Sequence, residues 1–323
     1  MFRRSFIRGM FGAALLPFTG PKAALAQDNR IVKLVLTFPV GGSSDLMGRI
    51  LAQQMAGALG ANVIVDNRPG AAGSIGVALA ARQAADGTTI LLGNLGPMVV
   101  NPLLNKVTYD PVKDFMPVAL VATAPAVLVI NAGLPYKSLS DLIAAAKATP
   151  NSINYGSGGA GTLAHFGGEV MSRITGTRFT HVPYKGGIAA TNDLLGGQID
   201  MILANPQPVL SHIQSGRLRA LAVTGSKRIG LLPDVRTFEE QGVAGMDAID
   251  WWGIYVPTGT PKVEFDKILD AVRRALDSQD LKNRYAELGV DVRFSGPDEL
   301  RDLAAQETEK YRKLIKEIGI QAS

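Results

Sequence analysis

The chain has 323 residues and a formal net charge of +5, but residues 1–26 hold four of its basic side chains and no acid, which leaves 29 basic residues against 28 acidic ones. So nearly neutral a remainder, with no long Lys/Arg run, gives no electrostatic footprint for nucleic acid or an anionic membrane surface. The lack of cysteine excludes disulfides, thiolate metal sites and cysteine lipidation. The first element in chain order is an export signal: Arg3, Arg4 and Arg8, a short apolar run, then Ala24-Leu25-Ala26 before Gln27, with cleavage expected after residue 26. Its Arg3-Arg4-Ser5-Phe6-Ile7-Arg8 run is similar to a twin-arginine address, with Phe2 where Ser or Thr is usual, and a Sec-type signal is the alternative. No later stretch is apolar for long enough to span a bilayer, so the expected product is a soluble exported protein, long enough for two domains.

Past the signal, strand and helix patterns alternate. IVKLVLTF is followed by a helix from Asp45 to about Leu59 stopped by Gly60, then NVIVDN, a helix from about Ser74 to Ala85, and TTILLGN. Repeated βα units predict an α/β fold with parallel sheet strands. A second set opens at Ser140, read as a helix cap before DLIAAAKA. It runs through SINYGS, a helix from Thr162 to about Ile174, FTHVPY, a helix ending near Leu195, IDMILAN and LRALAVTG. PVALVATAPAVLVINAG joins the two sets, and DWWGIYVPTGTP returns the chain to the first, which helices over 261–276 and 298–318 complete. The expected organisation is domain I over 27–124 plus 251–323 and an inserted domain II over 125–250. Hinge crossings fall near 121–128 and 249–256.

Ligands of open α/β sheets bind beyond the carboxyl ends of strands. The loops there read PVGGSSD, NRPGAAGSIG, GNLGPM, GSGGAGT, PYKGG and ANPQP, rich in glycine and small hydroxyls and poor in charge. A glycine pair leading into a helix start offers unpaired backbone N–H groups to an anion. Gly42 is followed by Ser43-Ser44-Asp45 with no lysine, so the loop lacks what a nucleoside triphosphate site needs and suits a smaller anion such as a carboxylate. Gly159-Ala160-Gly161-Thr162-Leu163-Ala164 fits a dinucleotide fingerprint, yet the next strand ends His181-Val182-Pro183-Tyr184 without the acid that would hold a ribose. His165, His181 and His212 lie in separate segments with no metal-ligand spacing, and Ser157 is not in a nucleophile elbow. The residues therefore predict no catalytic group, no metal and no cofactor.

Taken in order, FPVGGSSDLMGR, VDNRPGAAGSIG, NYGSGGAGTLAHFGGE, VPYKGGIAATNDLLGGQID and WWGIYVPTGTP resemble the periplasmic receptors of tripartite tricarboxylate transporters, the Bug family. The resemblance spans almost all of the chain after the signal. It implies a two-domain, type II-like Venus-flytrap periplasmic-binding-protein fold without catalytic activity, each domain a sheet flanked by helices. It also implies a small carboxylate ligand, a di- or tricarboxylate, amino acid or aromatic acid, delivered by a monomer to membrane permease subunits. Carried over by position, it places the ligand against Phe38, Gly41, Gly42, Ser43 and Ser44, and against Ala71, Ala72, Gly73 and Ser74. Ser157, Gly161 and Thr162 follow, with Tyr184, Asn205 and Pro206 on the far wall. Val40 and Ser44 depart from the family's usual Ala or Pro and Thr. Two other readings carry tests: an exported enzyme working on carboxylates through Asp45 or His165, and a sensor that presents its closed form to a signalling partner. Trp251 and Trp252 read as core or hinge packing.

Overall fold

A computed structural model describes residues 30–319, so the export signal and its cleavage site lie outside the described residues. The first half runs β1 (Ile31–Leu36), α1 (Ser43–Leu59), β2 (Asn62–Asn67), α2 (Ser74–Ala81), β3 (Thr89–Asn94), a π-helical turn over 96–100, α3 (Asn101–Leu104) and β4 (Phe115–Pro125). After one residue come β5 (Val127–Asn131), α4 (Leu139–Ala148), β6 (Asn154–Ser157), α5 (Leu163–Thr175), β7 (Thr180–Pro183), α6 (Gly187–Leu195), β8 (Met201–Ala204), α7 (Leu210–Gln214) and β9 (Leu218–Val223). The chain closes with β10 (Ile249–Pro257), α8 (Lys262–Asp277), α9 (Gln279–Glu287), β11 (Asp291–Ser295) and α10 (Pro297–Ile318).

Local chemistry accounts for most boundaries. α1 buries Met47, Ile50, Leu51 and Met55 along one face and ends where Gly60 takes the left-handed conformation, with its N–H on the Ala56 carbonyl. α4 is capped by Ser138 rather than by Ser140: the Ser138 hydroxyl takes the Asp141 N–H, and the Asp141 carboxylate takes the Ser138 N–H, a reciprocal box that moves the start two residues earlier. α2 stops at Ala81, short of Ala85, as Arg82 and Gln83 close turns onto Leu79 and Ala80. α9 and β11 carry too little apolar periodicity to be read from sequence. α9 buries only Leu281 and Tyr285 within a polar run, and Ser278 caps it.

The strands form two sheets, ordered β11-β4-β10-β3-β1-β2 and β7-β6-β8-β5-β9. The βα units supply parallel neighbours, β1 beside β2 and β3, and β6 beside β7 and β8. Both sheets are nevertheless mixed, a correction to the all-parallel expectation. β10 runs antiparallel to β3 and β4, and β5 antiparallel to β8 and β9. The cause is connectivity: β4 passes straight into β5 of the other sheet through Ala126, and β10 comes back beside β4 in the opposite sense. The crossings are bonded to each other. Ala126 N–H donates to Thr224 Oγ1 at 2.8 Å, Thr224 N–H donates to the Ala126 carbonyl at 2.9 Å, and Thr224 Oγ1 donates to the Ala248 carbonyl at 2.5 Å. α10 lies against α5, where the Tyr311 and Phe166 rings meet edge to face at 5.3 Å.

Candidate functional site

The carboxyl ends of β1, β3, β6 and β8 open onto one cleft between the two sheets. An outer volume of 1030 Å³ is bordered by the 70–79 and 101–108 segments on one side and by residues 158–160 and 183–186 on the other. It shares Phe38, Pro39 and Gly158 with an inner cavity of 110 Å³. The inner cavity is where helices begin: Ser43 and Ser44 of α1, Leu163 and Ala164 of α5, and Gly187 and Ile188 of α6 all line it. None of these three helices receives a side-chain cap, since Gly42, Thr162 and Gly186 stand at the cap positions without a capping bond. First-turn N–H groups have no acceptor within their own helix, and the positive ends of the helix dipoles add to them. Three such ends around one small cavity make an anion site built from neutral groups.

The first loop is held from behind. Asp45, with its side chain 3% exposed, accepts the Gly41 N–H at 2.9 Å, Asn67 Nδ2 at 3.0 Å and the Arg49 guanidinium at 2.9 Å. Burial opposes its charge, but these partners, Arg49 foremost, hold the carboxyl below the usual carboxylate range. Asp45 is therefore occupied as a clamp and has no lone pair aimed at a substrate. Gly41 sits at φ +82°, a conformation that favours glycine, and its N–H is committed to that clamp, so it borders neither volume. Gly42, Ser43 and Ser44 do border the inner cavity. Ser44 Oγ accepts the Trp252 indole N–H at 2.9 Å, which leaves its own proton to donate. That bond ties the loop to β10, where Trp252 is fully buried.

The second loop stores strain. Ala71 and Ala72 take φ +46° and +48°, unusual for residues with a Cβ. Asn101 holds them there, its Nδ2 within 3.0 Å of the Ala71 carbonyl, 3.2 Å of the Ala72 carbonyl and 2.9 Å of Ser74 Oγ. Ala71, Ala72, Gly73 and Ser74 line the outer volume. Asn101 also explains Gly161, at φ +87°: a Cβ there would come within 2.6 Å of Asn101 Oδ1, so this glycine allows two loops to pack and borders neither volume.

In the third loop the hydroxyls are turned inward. Thr162 Oγ1 donates to the Gly159 carbonyl at 2.8 Å, and Ser157 Oγ is bonded to His181 Nε2 at 2.7 Å and accepts the Gly159 N–H at 3.1 Å. Both residues line the inner cavity. His165 and His181, far apart in sequence, stack at 4.3 Å, and His181 stacks in turn on Tyr155 at 4.9 Å. Burial pushes both imidazoles down to about 4, so they are neutral at neutral pH. His165 Nδ1 accepts the Gly161 N–H at 3.2 Å and serves the loop. Among the described residues no group of His, Asp or Glu has the arrangement of a metal site. Tyr184, its hydroxyl on Asp193 at 2.8 Å, borders the outer volume, and Asn205 the inner one. Pro206 borders neither, its place being taken by Pro208.

Three side chains at the site escaped sequence reading: Asn101, Asn94 and Asp250. Asp250, 3% exposed, lines the inner cavity two residues from Trp252 on the same strand. Its Oδ2 accepts Asn205 Nδ2 at 3.0 Å and Asn94 Nδ2 at 3.5 Å, and its Oδ1 accepts the Trp251 N–H at 3.1 Å. Burial dominates these bonds and pushes the carboxyl up to about 6. A lone acid within the apolar strand IDWWGIYV was the available signal, since a charge on a buried strand needs a reason.

A two-sheet α/β fold with a cleft between the sheets, lined by helix N-termini, defines a solute-binding protein of the two-domain periplasmic kind, type II-like. The chain belongs to the tripartite tricarboxylate transporter family of receptors, whose model it matches over residues 47–320. It is 35% identical over 321 residues to Protein BugT of Bordetella pertussis, covering 99% of this chain and 98% of that one. Among solved structures it is similar to periplasmic binding protein BugD, with a TM-score of 0.86 at 32% identity, covering 90% and 98% of the two chains. It is equally similar to R. palustris Rpa4515 with adipate, with a TM-score of 0.88 at 31% identity, covering 91% and 99%. No helix among the described residues is long and apolar enough to cross a membrane.

Proposed function

We propose that the cleft captures a small organic acid in the periplasm and that this monomeric receptor hands it to the membrane permease subunits of a tripartite tricarboxylate transporter. The observation that carries this is the convergence of the uncapped N-termini of α1, α5 and α6 on a cavity that no lysine or arginine lines among the described residues. The inner ligand contacts are the Ser43 and Ser44 amides, the Ser44 hydroxyl and the first turns of α5 and α6, with Phe38 and Asn205 beside them. The outer ones are the 71–74 loop and Tyr184. The solved relative holding adipate supports an acid as the solute class. The two domains are residues 27–124 with 251–323, and 125–250. They close about the crossings where Ala126, Thr224 and Ala248 are bonded.

A thermal-shift panel of organic acids, sugars and polyamines tests the reading. An acid at about 100 times its Kd should stabilise the receptor by about 2.7 kcal/mol. Stabilisation by a sugar or polyamine while every acid fails would overturn it. Small-angle scattering that shows no compaction at saturation would overturn the hinge.

A further inference from the structure

The inner cavity has two chemically opposite ends. One is the set of helix N-termini, which favours negative charge. The other is Asp250 with Asn94, which favours positive charge. Asp250 is a buried carboxylate whose partners, Asn205 Nδ2, Asn94 Nδ2 and the Trp251 and Leu95 N–H groups, are all neutral. No cationic side chain lines the cavity to balance it among the described residues. Asn94, only 7% exposed and bordering the same cavity, carries an Oδ1 that has no hydrogen-bond partner. A buried acceptor without a donor and a buried charge without a counterion are both unfavourable, and the two lie side by side on adjacent strands, where Asn94 pairs with Trp252.

A ligand that is anionic throughout would gain from the helix ends and meet repulsion from Asp250. A ligand with an ammonium group next to its carboxylate would supply both the missing counterion and the missing donor. We infer that Asp250 is a specificity-determining residue and that the solute is an amino-substituted carboxylate: its carboxylate sits at the first turns of α1, α5 and α6, and its ammonium binds Asp250 and Asn94 Oδ1. This rests on the receptor reading above and narrows it. The carboxyl, pushed up to about 6 by burial, remains mostly ionised above neutrality and can play this part. The adipate held by the solved relative has no such group, so the inference separates this chain's solute from that one.

Isothermal titration calorimetry at pH 7.5 with matched pairs tests it: L-glutamate against glutarate, L-leucine against 4-methylpentanoate, L-phenylalanine against 3-phenylpropanoate. The expected result is that the amino member of at least one pair binds the wild-type receptor at least tenfold more tightly than its deaminated partner. Asp250→Asn should abolish that preference, read as the ratio of the two Kd values within a pair. Asn94→Leu, which removes the Oδ1 acceptor together with the 3.5 Å Nδ2 bond to Asp250, should reduce the preference in the same direction. Deaminated acids that bind as well as or better than their amino partners would overturn the inference and leave the carboxylate receptor standing. An amino preference that survives intact in Asp250→Asn would overturn the role of Asp250. If no member of any pair binds while the thermal-shift panel finds only acids without an ammonium group, the inference falls and the acid-receptor reading stands.

Discussion

Replacing Asp250 by asparagine should make the ligand-free protein more stable at neutral pH. In the fold the carboxyl titrates at about 6 rather than at its ordinary 3.8, so burial disfavours the ionised form. Both folded and unfolded states are protonated below pH 4, and the residue is then neutral to stability. Between pH 4 and pH 6 the unfolded chain gives up its proton first, so stability falls as pH rises, and above pH 6 the full penalty applies. A gap of about two pH units corresponds to about 3 kcal/mol at 1.36 kcal/mol per unit. The substituted amide would carry no charge, and amide flips at Asn94 and Asn205 would let both of their carbonyl oxygens accept from its two N–H bonds, with Asn94 Nδ2 then taking the place where Oδ1 has no partner. Urea unfolding of both proteins without ligand, at pH 4, 5, 6, 7 and 8, measures the difference. The variant should gain only about 0.5 kcal/mol at pH 4 and about 3 kcal/mol by pH 7 to 8. A variant less stable than wild type at pH 7, or a difference that does not change with pH, would refute the reasoning and indicate that the neutral donors around Asp250 fully compensate the buried charge.

Ser44→Ala leaves the Trp252 indole N–H without its acceptor in a buried site and removes a donor from the cavity. Unfolding stability and acid binding should each drop by about 1–3 kcal/mol, and a melt and a titration both matching wild type would contradict the assigned bond. Gly168→Ala would place a Cβ 2.3 Å from the Tyr155 ring, so denaturant unfolding should show a loss of about 1–3 kcal/mol, whereas unchanged stability would mean that the ring has room to move. Lys185→Met removes a cation that borders only the outer volume, so titration should show a smaller loss of acid affinity than for Ser44→Ala, and little dependence on salt. Loss of binding in Lys185→Met alone would replace the helix-terminus mechanism with a charge-based one.

The order of βα units, the return of the chain through IDWWGIYV and the glycine-rich loops at strand ends were all legible in the sequence. Hydrophobic periodicity and turn chemistry are local properties, and α1 needed nothing distant to declare itself: it stops at Gly60 as expected, and it starts at Ser43, two residues before the expected Asp45. The expectation that PVGGSSD offers donors to an anion rests on the same local logic, since unpaired N–H groups come with any helix start that lacks a cap. What lay beyond reach depended on long-range pairing. The direction of β10 against β4 follows from how the chain crosses between sheets, and α9 and β11 carry too few apolar residues to show a period. Ser157, Thr162 and Ser44 are equivalent as letters, small hydroxyls beside glycine. Only packing decides that the first two bond within their own loop while Ser44 keeps its proton for the cavity. His165 and His181 become a stacked pair, and Asn101 a clamp on two strained alanines, through tertiary contacts between separate elements. Asp250 shows the division most clearly. The sequence presents an acid in an apolar strand, and the fold alone places it in a cavity with an unpaired amide oxygen and no cation, because burial and the identity of neighbours are properties of the assembled core.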